Sequence, residues 1–329
     1  MLAYAIRRVL ISIPLFLGIL VLSFLMLKLA PGEPTVIQQD LQVRQSEVQR
    51  ETLRKLYGLD KPIYEQFGMW LWRSGRLDFG RSYMPDGRLV IDKIKERIPI
   101  TLGLNVLELL ITFLLAVPLG ILSATRQYSL FDKLMTLFVF VGFAMPDFWF
   151  ALLLMILLGV QLGWLPMSGL RSLNFEYLPF WSQVWDILSH LILPVLVASF
   201  GGLAFLSRLM RGTLLEVIRQ DYMRTAQAKG LSERIVIYKH GVRNAIIPVV
   251  TLMGLMVPGL LGGSVIIETV FGIPGMGQLF VQSAYSRDEP VIMALVVIGA
   301  SLSLLGNILA DLFYSIVDPR IRVSGGGAG

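Results

Sequence analysis

The chain has 329 residues, of which 55% are hydrophobic and only 16% charged. A soluble domain cannot cover that excess of apolar surface, so the composition indicates an integral membrane protein. Cysteine is absent and the two histidines, His190 and His240, are far apart, which excludes disulfides, thiolate metal sites and paired-histidine ligation. The formal net charge of +6 comes mostly from one central loop, a distribution that points to membrane orientation and partner docking and not to nucleic acid.

In chain order, Arg7 and Arg8 precede the first apolar run, Val9–Ala30, and place the N-terminus inside the cell. The run is too long for a signal peptide, and the Ala-Pro-Gly-Glu-Pro that follows is a poor cleavage site, so it reads as a retained helix. Pro31, Gly32 and Pro34 stop it. Residues 31–98 are polar, of mixed charge, and read as an extracytoplasmic subdomain with at least two helices. Ser46 and Gln49 have capping-box spacing before an apolar stripe that ends at Gly58. Pro62 opens a second helix with Ile63, Phe67, Trp70 and Leu71 on one face.

A spanning helix needs ~20 mainly apolar residues to cross a ~30 Å hydrocarbon core. Six segments qualify: Val9–Ala30, Pro99–Ala124, Lys133–Leu162, Ile187–Leu209, Ala245–Phe271 and Val291–Ile316. The expected fold is therefore an all-α polytopic membrane protein with six spans and both termini cytoplasmic. Its parts are an N-terminal helix (1–30), the subdomain (31–98), a five-helix core (99–323) containing a cytoplasmic loop (210–247), and a disordered Gly-rich tail (324–329).

The third segment contains Met145-Pro146-Asp147-Phe148-Trp149 and leaves through Gly163-Trp164-Leu165-Pro166-Met167-Ser168-Gly169. Trp164, Tyr177, Trp181 and Trp185 suit an interfacial aromatic belt. The fifth ends in Phe271-Gly272-Ile273-Pro274-Gly275-Met276-Gly277, a compact turn suited to close approach by another protein or a ligand. The connection Glu268–Pro290 carries one base against three acids, consistent with the outside.

Between the fourth and fifth spans, Arg208 to Arg243 holds eight bases and three acids, so this loop is cytoplasmic. Its pattern reads as two short helices broken at Gly230, a residue suited to a left-handed position after a helix. Ala226 and Ala228 leave a low-relief surface before the break. An ordinary basic connecting loop has the same charge pattern.

The chain lacks G-x-x-x-x-G-K-[ST], G-x-S-x-G and H-E-x-x-H, so ATP, ester or peptide hydrolysis is not expected of it. Glu108 and Asp147 are the acids inside apolar spans, where an ionisable group is a candidate for the transport pathway. Pro146 beside Asp147 marks a kink where unpaired backbone is tolerated against water. The alternative is that both acids pair with Arg208 or His190 and never meet substrate.

Asp221-Tyr222-Met223-Arg224-Thr225-Ala226-Gln227-Ala228-Lys229-Gly230-Leu231, followed by His240-Gly241-Val242-Arg243-Asn244-Ala245-Ile246-Ile247-Pro248, resembles the coupling loop of ABC-transporter permeases of the dipeptide/oligopeptide type. Arg224-Thr225-Ala226 stands where the general permease pattern has Glu-Ala-Ala, and Pro248 falls later than that pattern allows, a spacing characteristic of the peptide branch. Further marks are Pro31–Pro34, Leu53–Pro62, Gly80-Arg81-Ser82, the Gly163–Gly169 run, and Phe271–Gly277 with Arg287-Asp288 after it. The resemblance covers about residues 1–323.

It implies a B-type permease of an importer, paired with a second homologous permease, two ATP-binding subunits and an extracytoplasmic substrate-binding protein. ATP and Mg²⁺ would belong to the partners, with no cofactor in this chain. In such a complex Asp221, Tyr222, Arg224, Thr225, Ala226, Ala228, Lys229 and Gly230 would form the ATPase-coupling surface. Pro146, Asp147 and Glu108 would lie on the pathway, and Phe271, Gly272, Pro274, Gly275 and Gly277 at an outer gate or binding-protein contact. Nickel and glutathione importers share this branch. A secondary transporter or channel without an ATPase is the alternative of a different class.

The topology is directly testable because the chain has no native cysteine. In intact cells a membrane-impermeant thiol reagent should label Glu65→Cys and spare Gln227→Cys; the reverse pattern would invert the orientation.

Overall fold

A computed structural model describes residues 2–29 and 61–317. The expected stop at Pro31–Pro34, the capping box at Ser46 and Gln49, and the tail 324–329 lie outside these residues. The described chain is helical apart from one antiparallel bridge between Arg81 and Leu89. In order, the helices are α1 (Leu2–Leu29), α2 (Ile63–Ser74), α3 (Val90–Thr125), α4 (Leu130–Ala144) and α5 (Asp147–Gln161, ending in a π turn). They continue as α6 (Phe180–Ile218), α7 (Asp221–Ala228), α8 (233–245, largely π-helical) and α9 (Ile247–Met256). The last are α10 (Val265–Val270), α11 (Met276–Ser286) and α12 (Glu289–Val317).

Four helices are long and apolar enough to cross a membrane, within α1, α3, α6 and α12. The pair α4 and α5 makes a fifth if its two parts count as one span, and it bends by 109° at Met145-Pro146. Pro146 has no N–H to continue α4, and its extended φ of −65° and ψ of 135° cap α5 instead. The expected span Ala245–Phe271 is not one helix. It is divided into α9, a 3-10 turn at Val257–Leu261 and the six-residue α10. Pro258 and the glycines that follow account for the break, since neither supports a continuous ladder. The helices that carry the second and fourth spans begin before the apolar runs, at Val90 and Phe180 instead of Pro99 and Ile187, and His190 lies inside α6.

The described residues form two compact units. In the first, α1 and α12 pack together, and Lys28 pairs with Glu289 at 2.7 Å. Of the expected apolar face of α2, Trp70 stacks on Phe24 of α1 and Phe67 meets Phe24 edge-on, while Ile63 is exposed. Two sequence marks also meet here. Ser82 donates to the buried carboxylate of Asp288, and the Tyr83 N–H reaches the same carboxylate at 2.9 Å.

The second unit holds most of α3 together with α4 to α10. Small residues set its helix spacing: a Cβ added at Gly120 would lie 2.6 Å from Met210 Cβ, and one at Gly142 would lie 2.8 Å from Ala204 Cβ. A Cβ added at Gly202 would lie 3.2 Å from Thr112 Cγ2, whereas one at Gly201 would meet open space. Asn105 donates to the Leu260 carbonyl at 2.6 Å, tying α3 to the 3-10 turn after α9.

Candidate functional site

The central loop folds as a short helix seated on the end of a long one. α6 ends at Ile218, and α7 starts three residues later with Gln220 as an extended N-cap. Eight residues are too few to hold a helix on propensity alone, so α7 depends on what it packs against. Met223 and Ala226, three residues apart on one face, are buried against Val236 of α8, with Val217 and Ile218 of α6 behind them. Gly241 permits this approach, because a Cβ there would lie 3.2 Å from Met223 Cε and 3.3 Å from Leu214 Cδ1.

The other face is polar and open. Asp221, Tyr222, Arg224, Thr225, Ala228 and Lys229 are exposed. Arg224 and Asp221 approach only to 3.7 Å with both side chains well solvated, so their pairing is weak. Tyr222 is fixed at its hydroxyl by Asn244 Nδ2 at 3.0 Å. Gly230 follows the helix with φ of +77° and its N–H on the Gln227 carbonyl, the left-handed exit expected from the sequence. Ala226 differs from expectation. It was expected on the docking surface, yet it faces inward and supports the helix, so a larger side chain there would crowd the chain's own cluster.

The two membrane acids lie near each other. Glu108 on α3 is half-buried, Asp147 at the start of α5 is exposed, and their charges are close enough to repel. Neither pairs with Arg208 or His190. Among the described residues, no hydrogen bond or ion pair reaches either carboxylate. The N-terminal dipole of α5 offsets part of the cost for Asp147. His190 Nδ1 instead lies 2.7 Å from the Asp186 carbonyl. The acid that is tightly paired is one the sequence did not single out: Asp132 of α4 accepts from Arg211 of α6 at 2.7 and 2.8 Å.

The Phe271–Gly277 turn is mostly internal. Phe271, Ile273, Gly275, Met276 and Gly277 are buried, leaving Gly272 and Pro274 half-exposed. The turn is compact, as expected, and makes a close approach within the chain itself. The Phe271 carbonyl accepts from the Gly169 N–H at 2.8 Å, and Gly272, at φ of +62°, sits against Ser168 and Gly169. Gly275 is extended, not left-handed, and caps α11. Among the described residues no group of three or more His, Asp or Glu side chains could hold a metal.

Residues 116–323 match the family described as binding-protein-dependent transport system inner membrane component. The oligopeptide transport system permease protein AppB of Bacillus subtilis is 46% identical over 98% of this chain and 100% of its own length. The dipeptide transport system permease protein DppB of Alkalihalophilus pseudofirmus is 34% identical, with coverage of 98% and 100%. Among solved structures, a chain from inward-facing conformations of the MetNI methionine ABC transporter matches 67% of this chain and 95% of its own at 16% identity. Its TM-score is 0.47.

The geometry generates a test of the loop. Gly230→Val places a β-branched residue at a left-handed position, at a cost of ~1–2 kcal/mol, whereas Gly230→Asn tolerates it. Gly241→Leu and Ala226→Trp should overpack the Met223 cluster by ~1–3 kcal/mol. Limited trypsin cleavage at Lys229 in purified protein should rise in these last two and in Gly230→Val, and stay at the wild-type rate in Gly230→Asn. Equal rates in all four would contradict the packing described.

From its family match and its full-length similarity to curated permeases, the chain is a multi-pass inner-membrane protein of the binding-protein-dependent transport system inner membrane component family, a B-type permease of the dipeptide/oligopeptide ABC-transporter branch.

Proposed function

We propose that this chain forms, with a second homologous permease, the translocation pathway of an ABC importer for di- and oligopeptides. Two ATP-binding subunits supply the energy and an extracytoplasmic substrate-binding protein delivers the cargo. The observation that carries the reading is α7, whose polar face is free while its apolar face is locked to the end of α6. A helix held in that way can receive a push from a partner and pass it to a span. Asp221, Tyr222, Arg224, Thr225, Ala228 and Lys229 form the docking face, and Gly230 turns the chain away from it. Ala226 contributes by seating the helix.

In the full complex the chain crosses the membrane six times, with the divided segment Ala245–Phe271 completing a span beside its partner permease. Both termini and the 210–247 loop are cytoplasmic, and residues 31–98 are extracytoplasmic. The excess of bases at Arg7, Arg8 and the central loop supports this orientation. Divided helices are tolerated at membrane depth only where protein or a watery cavity satisfies the freed backbone, which supports placing α9, α10 and the Pro146 bend along the pathway.

Glu108 and Asp147, with Pro146, line that pathway. Two neighbouring carboxylates without cationic partners suit the ammonium terminus of a peptide. The names of the curated relatives support the same substrate class. The Phe271–Gly277 turn acts at the outer gate through its contact with Gly169, and its half-exposed Gly272 and Pro274 are the residues available to the binding protein.

Purification in mild detergent should recover a second permease and ATPase chains with this one, and reconstituted vesicles should take up peptide only with ATP and the binding protein. Asp147→Asn and Glu108→Gln should lower peptide uptake about tenfold, as loss of a charged contact does, while ATPase subunits still co-purify. Uptake by this chain without an ATPase would establish the secondary-carrier or channel class instead.

A further inference from the structure

α4 and α6 touch at two levels with a gap between them. At one level Gly142 lies against Ala204, and Phe138 meets Phe200 edge-on with ring centroids 4.9 Å apart. At the other, ten residues back along α4 and about 15 Å away on helical geometry, Asp132 meets Arg211. Between them opens a cavity of about 270 Å³ lined in part by Leu119, Met135, Val139 and Phe140. Apolar contact therefore does not set the helix separation at the Asp132 end. The ion pair does.

The pair is built for that role. Asp132 is almost fully buried, and both its oxygens are taken by Arg211, through Nε at 2.7 Å and a terminal nitrogen at 2.8 Å. Ser123 of α3 donates to the first oxygen, and the Tyr128 N–H donates to the second at 3.0 Å. Ser129 caps α4 by accepting from the Asp132 N–H at 3.3 Å. One carboxylate thus joins α3, the short connection after it, α4 and α6. The two-pronged Arg–carboxylate geometry resists rotation as well as separation.

Arg211 stands one to two turns from the residues of α6 that seat α7. Leu214 meets Gly241, and Val217 and Ile218 back Met223 and Ala226. Thr213 Oγ1 donates to the Ala245 carbonyl at 2.9 Å, tying α8 to the same stretch of α6. At the far end of α4 come Met145, Pro146 and Asp147, where the span bends.

We propose that Asp132 and Arg211 are positioning residues for transport, a clasp that transmits displacement of α7 through the end of α6 into the bent span α4–α5. With Gly142–Ala204 as the pivot, movement at the clasp swings the Pro146 bend and the Asp147 carboxylate. The proposal rests on α7 being the ATPase-coupling helix. It gives the force received there a definite route, through a bistable polar contact and not through a diffuse apolar interface.

The test is a double-mutant cycle in the reconstituted importer with Asp132→Asn, Arg211→Gln and both together. Readouts are ATPase-subunit pull-down, ATP hydrolysis, and peptide taken up per ATP hydrolysed. Each single variant should retain the ATPase subunits and lose about tenfold in uptake per ATP, within the range of coupling free energies. The double variant should lose no more than the worse single. Wild-type uptake per ATP in both singles, or losses that multiply in the double, would overturn the proposal. If the neutral variants fail to accumulate in the membrane, Arg211→Lys decides, since it keeps the charge without the two-pronged geometry. Wild-type uptake per ATP in that variant would overturn the clasp, and an intermediate loss is expected. Gly230→Val in parallel separates this from the coupling-helix reading. If that reading fails, Gly230→Val keeps normal ATPase docking and uptake; if only the clasp fails, Gly230→Val loses docking while the clasp variants couple normally.

Discussion

Met223 and Ala226 pressed against Val236, Val217 and Ile218 hold the central loop of this permease in one geometry. Burying a side chain the size of Met223 contributes ~1.5–3 kcal/mol, and an eight-residue helix has little else to keep it formed. The direction of α7 is therefore set by the end of α6. A displacement of α7 therefore has to open this cluster or carry the end of α6 with it. Gly241 gives Met223 room, and Gly230 lets the chain leave without lengthening the helix.

The same economy of contact recurs elsewhere in the chain. Within the second unit, the Gly169 N–H on the Phe271 carbonyl joins two glycine-rich turns distant in sequence. Within the first, Ser82 and the Tyr83 N–H share the buried carboxylate of Asp288. Each contact satisfies polar groups that the turns leave exposed, and in a membrane protein those groups have few other partners. Exposed apolar side chains such as Leu10, Leu22, Leu114 and Leu137 need no partner in this chain, because lipid or a neighbouring permease covers them.

Much of the central loop was legible because it is local. The break at Gly230 is where the sequence puts it, at positive φ, but the helix before it is only Asp221–Ala228, because α6 continues to Ile218 and the chain turns between them. The face of that helix was harder to read. Ala226 resembles a surface residue by type, and only the meeting of α7 with Val236 and Ile218 turns it inward. Asp132–Arg211 was missed for a different reason: the partners are 79 residues apart, and each taken alone reads as a charge near the end of a span. Glu108 and Asp147 were identified because acids in apolar runs stand out without any knowledge of packing. The division of Ala245–Phe271 was foreshadowed by Pro258 and its neighbouring glycines, yet hydropathy does not register a break.

The most direct measurement places a single cysteine at Thr225, exposed on α7, in a chain that has none of its own. A short thiol cross-linker applied to membranes containing the whole importer should join Thr225→Cys to an ATP-binding subunit, with a yield that changes when ATP is bound. Met223→Cys, buried beneath it, should not react. A cross-link from Thr225→Cys to the extracytoplasmic binding protein, or no ATPase adduct while ATP-driven uptake proceeds, would contradict the account of α7 as the coupling helix.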